Sequence, residues 1–278
     1  MTNPNTPHAS WLELENKVCV VTGAAGGIGA EIARQFAAVG ARVAVLDRDQ
    51  AGASRVCADI AATGARAIAV DCDITDKASV DRAAATVERE LGRCDVLVNN
   101  AAAIYAAALM DIEMDRWRQL MAVNLDGFLL CSQAFGRQMI AAGGGSMVHV
   151  ASISGHVPQP YSGPYSVSKA GVKMLSPLLA VELGEHGIRS NVVSPAMVRT
   201  PMSEVIYADP AVLRKREQIL PARRIGAPPD IAEVVVYLSS ARAGYVTGQD
   251  VLVDGGLSTA WLTLVPRPGF EKSDADKA

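Results

Sequence analysis

From residue 17 onward the chain alternates short, almost wholly apolar runs with longer stretches that mix small, apolar and charged residues. The runs are KVCVVT, ARVAVLD, ARAIAVD, CDVLVN, GSMVHVAS, IRSNVVS and DVLVD. A strand wetted on one face alternates apolar with polar positions; these do not, so each reads as a parallel strand buried on both faces. Between them, residues 28–39, 50–63 and 77–91 are long enough to form crossover helices. The repeated order of strand, helix, strand with short connections predicts an α/β fold. It is a single Rossmann-type, doubly wound parallel sheet of about seven strands with helices on both faces.

No internal repeat or Ser/Gly-rich linker interrupts this pattern, so residues 11–258 are expected to form one domain. Residues 1–10 read as a disordered extension. The tail, 259–278, opens with apolar Trp261, Leu262, Leu264 and Val265 and ends charged. Trp261 and Leu264 are expected either to meet a neighbouring subunit or to cover their own core. Residues 201–226, PMSEVIYADPAVLRKREQILPARRIG, exceed a simple connection and read as a lid. Met202, Val205, Ile206, Tyr207 and Leu213 would line its apolar side, and its arginines read first as a solvated helix face. Pro177, in KMLSPLLAVEL, removes a backbone donor and should bend the helix that holds it.

Composition narrows the function classes. The 278 residues are 50% apolar and 20% charged with a net charge of −3, an ordinary globular balance that does not suit nucleic acid as a partner. The opening lacks a basic start followed by an apolar core, and the longer apolar stretches are broken by polar residues, so neither a signal peptide nor a membrane span is expected. Five cysteines without a C-x-x-C pair fit a reduced, cytoplasmic setting. Four scattered histidines have no thiol or carboxylate at ligand spacing, so no metal is expected.

The first strand runs into TGAAGGIGAEIA, with Gly23, Gly27 and Gly29 at the strand-to-helix turn. Glycines there permit positive φ and let a pyrophosphate approach the amides of a helix N-terminus; the same turn also serves close helix packing alone. Asp47 ends the second strand, where a carboxylate can accept the ribose hydroxyls of adenosine and repel a 2′-phosphate. That favours NAD over NADP. Arg48 is the competing signal, because it could accept such a phosphate, yet Gly26 supplies no second cation. Asp73 could reach an adenine amino group and Ile74 pack on its ring; alternatively Asp73 forms a turn.

Several motifs then fall in order along the chain: the three glycines, NNAA from Asn99 to Ala102, Asn124 in VNLDG, Ser152 in ASISG, Tyr165 and Lys169 in YSVSK, SPAMVRTP and VTGQDVLVDGG. Together they resemble the short-chain dehydrogenase/reductase family, in its compact single-domain branch, over roughly residues 14–258. The resemblance implies a catalytic set of Asn124, Ser152, Tyr165 and Lys169, with Asn124 holding a water that links Lys169 to solvent. It also implies a dinucleotide seated by Gly23, Gly27, Ile28, Gly29, Asn100, Tyr165, Lys169, Pro195, Val198 and Thr200. Ala102 and Ala196 depart from the family's usual glycines and add methyls near the cofactor.

The chemistry of the pair is physical. Tyr165 and Lys169 are four positions apart and share a helix face. A free tyrosine titrates near ~10, and a fixed ammonium beside it, helped by an oxidised nicotinamide, is expected to pull it down by roughly 2 to 3 units into the useful range. Ser152 would hold the substrate oxygen beside the phenol. His156 and Gln159 flank this loop and could touch substrate or be incidental. The expected function is NAD(H)-dependent interconversion of a secondary alcohol and a ketone on a small molecule. The alternatives are an NADPH-dependent 3-oxoacyl-carrier-protein-type reductase and a non-catalytic nucleotide sensor. The resemblance further implies a homotetramer built on the helix bearing Tyr165 and on residues 114–141.

Overall fold

The computed structural model describes residues 11–201, 203–260 and 265. The expectations for residues 1–10, Met202, Trp261, Leu262 and Leu264 lie outside them; Val265 is half-exposed. Seven strands form one sheet: β1 (Val18–Thr22), β2 (Arg42–Asp47), β3 (Ala67–Asp71), β4 (Val96–Asn99), β5 (Gly145–Val150), β6 (Ile188–Pro195) and β7 (Asp250–Val253). Their order is β3-β2-β1-β4-β5-β6-β7, and every pairing is parallel. The chain reverses its direction of travel across the sheet between β1 and β4, the place where open α/β sheets bind ligands.

The side-chain period of two divides each strand between two cores. In β1, Cys19 and Val21 join one apolar cluster, together with α1 (Gly27–Ala38), α2 (Gln50–Ala61) and α9 (Pro228–Ser239). Val18 and Val20 join the other, with α3 (Lys77–Leu91), α5 (Gly127–Ala142) and α6 (Tyr165–Leu183). Phe36 anchors the first cluster and Phe128 and Phe135 the second, all fully buried, and truncating such a side chain to Ala costs about 3–5 kcal/mol. A polar seam crosses the second layer. Asn99 Nδ2 lies 3.1 Å from His149 Nδ1, His149 Nε2 3.2 Å from Ser190 Oγ, and Ser190 Oγ 2.8 Å from Ser176 Oγ. Burial drives the His149 pKa down to about 3.

Two irregular stretches shape the ligand side. A short helix α4 (Met114–Met121) continues into α5 through a π-helical turn, Ala122–Asp126. The expected lid carries α7 (Glu204–Tyr207) and α8 (Pro210–Ile219), and its base is closed by a parallel bridge between Val198 and Gly226. Helix α6 runs on through Pro177 to Leu183. Among the described residues no helix is long and apolar enough to cross a membrane.

Candidate active site

At the nucleotide end, backbone geometry dictates the residues. Gly23 has φ +64°, and a Cβ there would stand 2.5 Å from Ala101 Cα. A Cβ on Gly29 would fall 2.4 Å from the Gly23 carbonyl oxygen and 2.5 Å from Asn100 Nδ2. A Cβ on Gly27, at φ +58°, would meet the Thr200 side chain at 3.7 Å, so Thr200, just before the expected lid, lies against the glycine turn. The N-cap of α1 is Gly26: no side chain caps the helix, and a Cβ on Gly26 would meet nothing within 4 Å. By contrast, α2, α3 and α8 are capped by the carboxylates of Asp49, Asp76 and Asp209. No side chain therefore caps the first amides of α1, at the positive end of a helix dipole, an arrangement that fits a dinucleotide pyrophosphate.

Several residues expected to touch that dinucleotide also build the turn. Asn100 Nδ2 donates to the carbonyls of Thr22 and Gly23, each at 3.0 Å, and the Asn100 and Ala101 amides donate to Thr22 Oγ1. Asp47 Oδ2 accepts from the Ala25 amide at 3.0 Å and Oδ1 from the Asp49 amide at 2.9 Å. It remains partly exposed at the end of β2, and Arg48 is exposed beside it. Asp73 accepts from the amide and hydroxyl of Thr75, which hold its carboxyl below the usual range; this is the turn-forming role. Ile74 is 6% exposed and its side chain belongs to the core, so close to α5 that a Cβ on Gly127 would lie 2.7 Å from its Cδ1. An adenine ring finds little of it to pack on.

At the reacting end, side chains converge from three elements. Ser152 follows β5, is 8% exposed and caps a 3-10 turn, Ile153–Gly155, its Oγ accepting from the Ser154 amide at 3.1 Å. Tyr165 opens α6. Lys169, one turn on, is 1% exposed; its Nζ donates to the Val150 carbonyl at 2.9 Å and stands 5.8 Å from the centre of the Tyr165 ring. Burial lowers the Lys169 pKa to about 7. Burial raises that of Tyr165, and a hydrogen bond from Ser152 opposes the rise. The expected depression of the phenol is therefore not a property of the protein groups alone. Desolvation penalises both ions, and the ammonium is directed at a carbonyl rather than at the phenol oxygen.

Asn124 sits fully buried in the π turn. Its Oδ1 accepts from the Ala103 amide at 2.8 Å, and its Nδ2 donates to the Ala103 carbonyl at 2.9 Å and to Ser168 Oγ at 3.1 Å. It thus ties the segment after β4 to α6. Pro195 ends β6, Val198 lies in the bridge at the base of the lid, and the Thr200 amide donates to Ser203 Oγ at 2.9 Å. Neither Ala102 nor Ala196 adopts positive φ, so their methyls are accommodated without backbone strain.

Sequence reasoning left His156 without a partner; it has one. His156 Nε2 lies 2.9 Å from Asp250 Oδ2, and Lys173 Nζ lies 3.8 Å from the same oxygen. Gln159 is used locally, its Oε1 accepting from Ser154 Oγ at 2.9 Å. No spacing rule connects residues 156, 173 and 250; only the fold does. A separate cleft of about 320 Å³, lined by Lys17, Asp95 and Arg189 among others, opens beside the amino end of β1, away from this chemistry.

Comparison with known proteins agrees with the geometry. Residues 23–258 match a family model described as enoyl-(acyl carrier protein) reductase. The chain is 38% identical over 245 residues to D-threitol dehydrogenase of Mycolicibacterium smegmatis, covering 87% of this chain and 93% of that one. It is 40% identical over 246 residues to L-rhamnose 1-dehydrogenase (NAD(P)(+)) of a Sphingomonas species, covering 88% and 97%. A crystal structure of gluconate 5-dehydrogenase from Burkholderia cenocepacia, in complex with NADP and tartrate, superposes with a TM-score of 0.85 at 32% identity, over 89% of this chain and 97% of that one. The chain belongs to the short-chain dehydrogenase/reductase family and is an oxidoreductase.

Proposed function

We propose that the protein is an NAD(H)-dependent dehydrogenase that interconverts a secondary alcohol and a ketone on a small molecule, with Tyr165 as general acid and base. One observation carries this reading: Ser152 and Tyr165 stand together with a fully buried Lys169, whose Nζ is 5.8 Å from the centre of the Tyr165 ring, at the carboxyl end of the sheet. When bound, the dinucleotide would accept or supply the hydride at its nicotinamide. The protein's part is to hold and move the proton. Ser152 Oγ orients the substrate oxygen, and Tyr165 Oη takes or gives its proton. Lys169, near 7, supplies positive charge beneath the phenol and can exchange a proton at neutral pH. Thr200, beside the glycine turn, would hold the carboxamide. Asn124 would hold the linking water through its main chain, its side chain being engaged elsewhere.

NAD is preferred over NADP in this reading because the Asp47 carboxylate would repel a 2′-phosphate. A reductase of carrier-bound acyl chains is less favoured by Asp47 and by the net charge of −3. The dehydrogenase names of the D-threitol and L-rhamnose relatives support a small alcohol as substrate. A homotetramer fits the apolar stripe that α6 leaves uncovered at Val167, Met174, Leu178 and Val181, which light scattering would check, and five free cysteines suit a cytoplasmic setting. The deciding experiment is Tyr165→Phe, assayed by absorbance of reduced nicotinamide across sugar alcohols, steroids, cyclic alcohols and diols. Turnover should vanish while NADH binding persists. A variant that kept most of the wild-type rate would remove Tyr165 from the chemistry.

A further inference from the structure

We propose that Asp250 is a positioning residue for Ser152, acting through Lys173 and His156; the inference rests on the reading of Ser152 and Tyr165 given above. Asp250 opens β7 at the edge of the sheet, in register with Val192 of β6. Its side chain is only 18% exposed. Oδ1 accepts from Ser194 Oγ at 2.7 Å, while Oδ2 faces His156 and Lys173. Those two side chains are 24% and 23% exposed, so the cluster is largely withdrawn from water and is unlike an ordinary surface ion pair.

Both partners of the carboxylate belong to elements that carry the catalytic groups. Lys173 lies one helical turn beyond Lys169 and two beyond Tyr165. Its Nζ donates to the Gly155 carbonyl at 3.2 Å, the last residue of the turn that Ser152 caps. His156 follows that turn directly, and its amide donates to the Ile153 carbonyl at 2.8 Å. The turn is pressed onto the helix: a Cβ on Gly155 would lie 2.9 Å from Lys169 C and 3.0 Å from Lys173 Cδ. Where Ser152 Oγ points is set by the turn, and its distance from Tyr165 by how the turn docks on α6.

The approach of His156 Nε2 to Oδ2 is a polar contact off the hydrogen-bonding line. Lys173 is therefore the firmer tie, because it bonds the turn and neutralises the carboxylate at once. Removing either charge takes the countercharge from the other in a largely buried cluster and frees the turn to shift. Misplacement of a catalytic group by about 1 Å can lower turnover by about 100-fold.

The test compares Lys173→Met, Lys173→Arg and Asp250→Asn. Turnover is measured on the alcohol that reacts fastest in the panel above, NADH affinity by fluorescence, and melting temperature separately. Lys173→Met and Asp250→Asn should lower kcat by about tenfold or more while the Kd for NADH stays within about twofold, and Lys173→Arg should recover most of the lost rate. Three results overturn the inference: Lys173→Met keeping kcat within about twofold of wild type, NADH affinity falling in proportion to kcat, or Lys173→Arg doing no better than Met. If Tyr165→Phe is inactive while these variants are fully active, the inference fails and the dehydrogenase reading stands. If Tyr165→Phe is active, the reading itself goes.

Discussion

The two ends of the cleft are built from different materials. In the proposed reading the working groups at the nucleotide end are main-chain amides, and the side chains nearby, Asn100, Asp47 and Thr22, hold the loop that presents them. At the reacting end the working groups are side chains, and the surrounding backbone serves to hold them, as the Val150 carbonyl does for Lys169. One end would bind by shape and dipole, and at Gly23 and Gly29 it has no room for a methyl. The other acts by ionisation, so it depends on burial and on neighbours.

Tyr165→Phe breaks the comparison at its strongest point. The loss of kcat should be about 10³-fold or more with NADH affinity kept, in a stopped-flow or steady-state assay against binding by fluorescence. The matching change at the other end is Gly29→Ala, whose methyl would fall 2.4 Å from a carbonyl oxygen. NADH affinity by calorimetry should drop by about tenfold or more, with kcat at saturating NAD far less affected. Smaller still, Asp47→Ser should narrow the ratio of kcat/KM for NAD over NADP by roughly tenfold. An unmoved ratio would show that Asp47 matters only for its bonds to Ala25 and Asp49.

A pH titration sharpens the comparison without touching catalysis. His149 has a folded pKa of about 3 against an ordinary value of 6.5. The unfolded chain therefore binds its proton first: stability is fully present above pH 6.5 and falls as pH drops toward 3. The slope is at most about 1.4 kcal/mol per pH unit. Urea midpoints between pH 6.5 and 5 should show the decline, and His149→Gln should flatten it.

Much of this was legible in the sequence because it depends on local pattern. The seven apolar runs became the seven strands, IRSNVVS extending by one residue to Pro195 and CDVLVN losing its first two to the loop before β4. Helices expected over 28–39, 50–63 and 77–91 appear as Gly27–Ala38, Gln50–Ala61 and Lys77–Leu91. What stayed hidden depends on contacts between distant positions. Asn100 and Asp47 looked like ligand contacts because their residue types suit ligands, yet their nearest donors and acceptors are backbone groups. Ile74 looked available and is core. The sign of the Tyr165 shift could not be read from a four-residue spacing, since spacing reports proximity and says nothing about desolvation.

The wide turn at Ala122–Asp126 fixes the phase of the rod that contains it. Each residue advances an α-helix by about 100°, so shortening that rod by one would swing Phe128, Ser132 and Phe135 off the faces they now fill. Among the described residues between Val198 and Gly226 only Tyr207 and Leu220 are buried, so that segment packs no such row of side chains into the core. A one-residue deletion between Met114 and Ala142 should therefore lower the melting temperature more than one within residues 201–226.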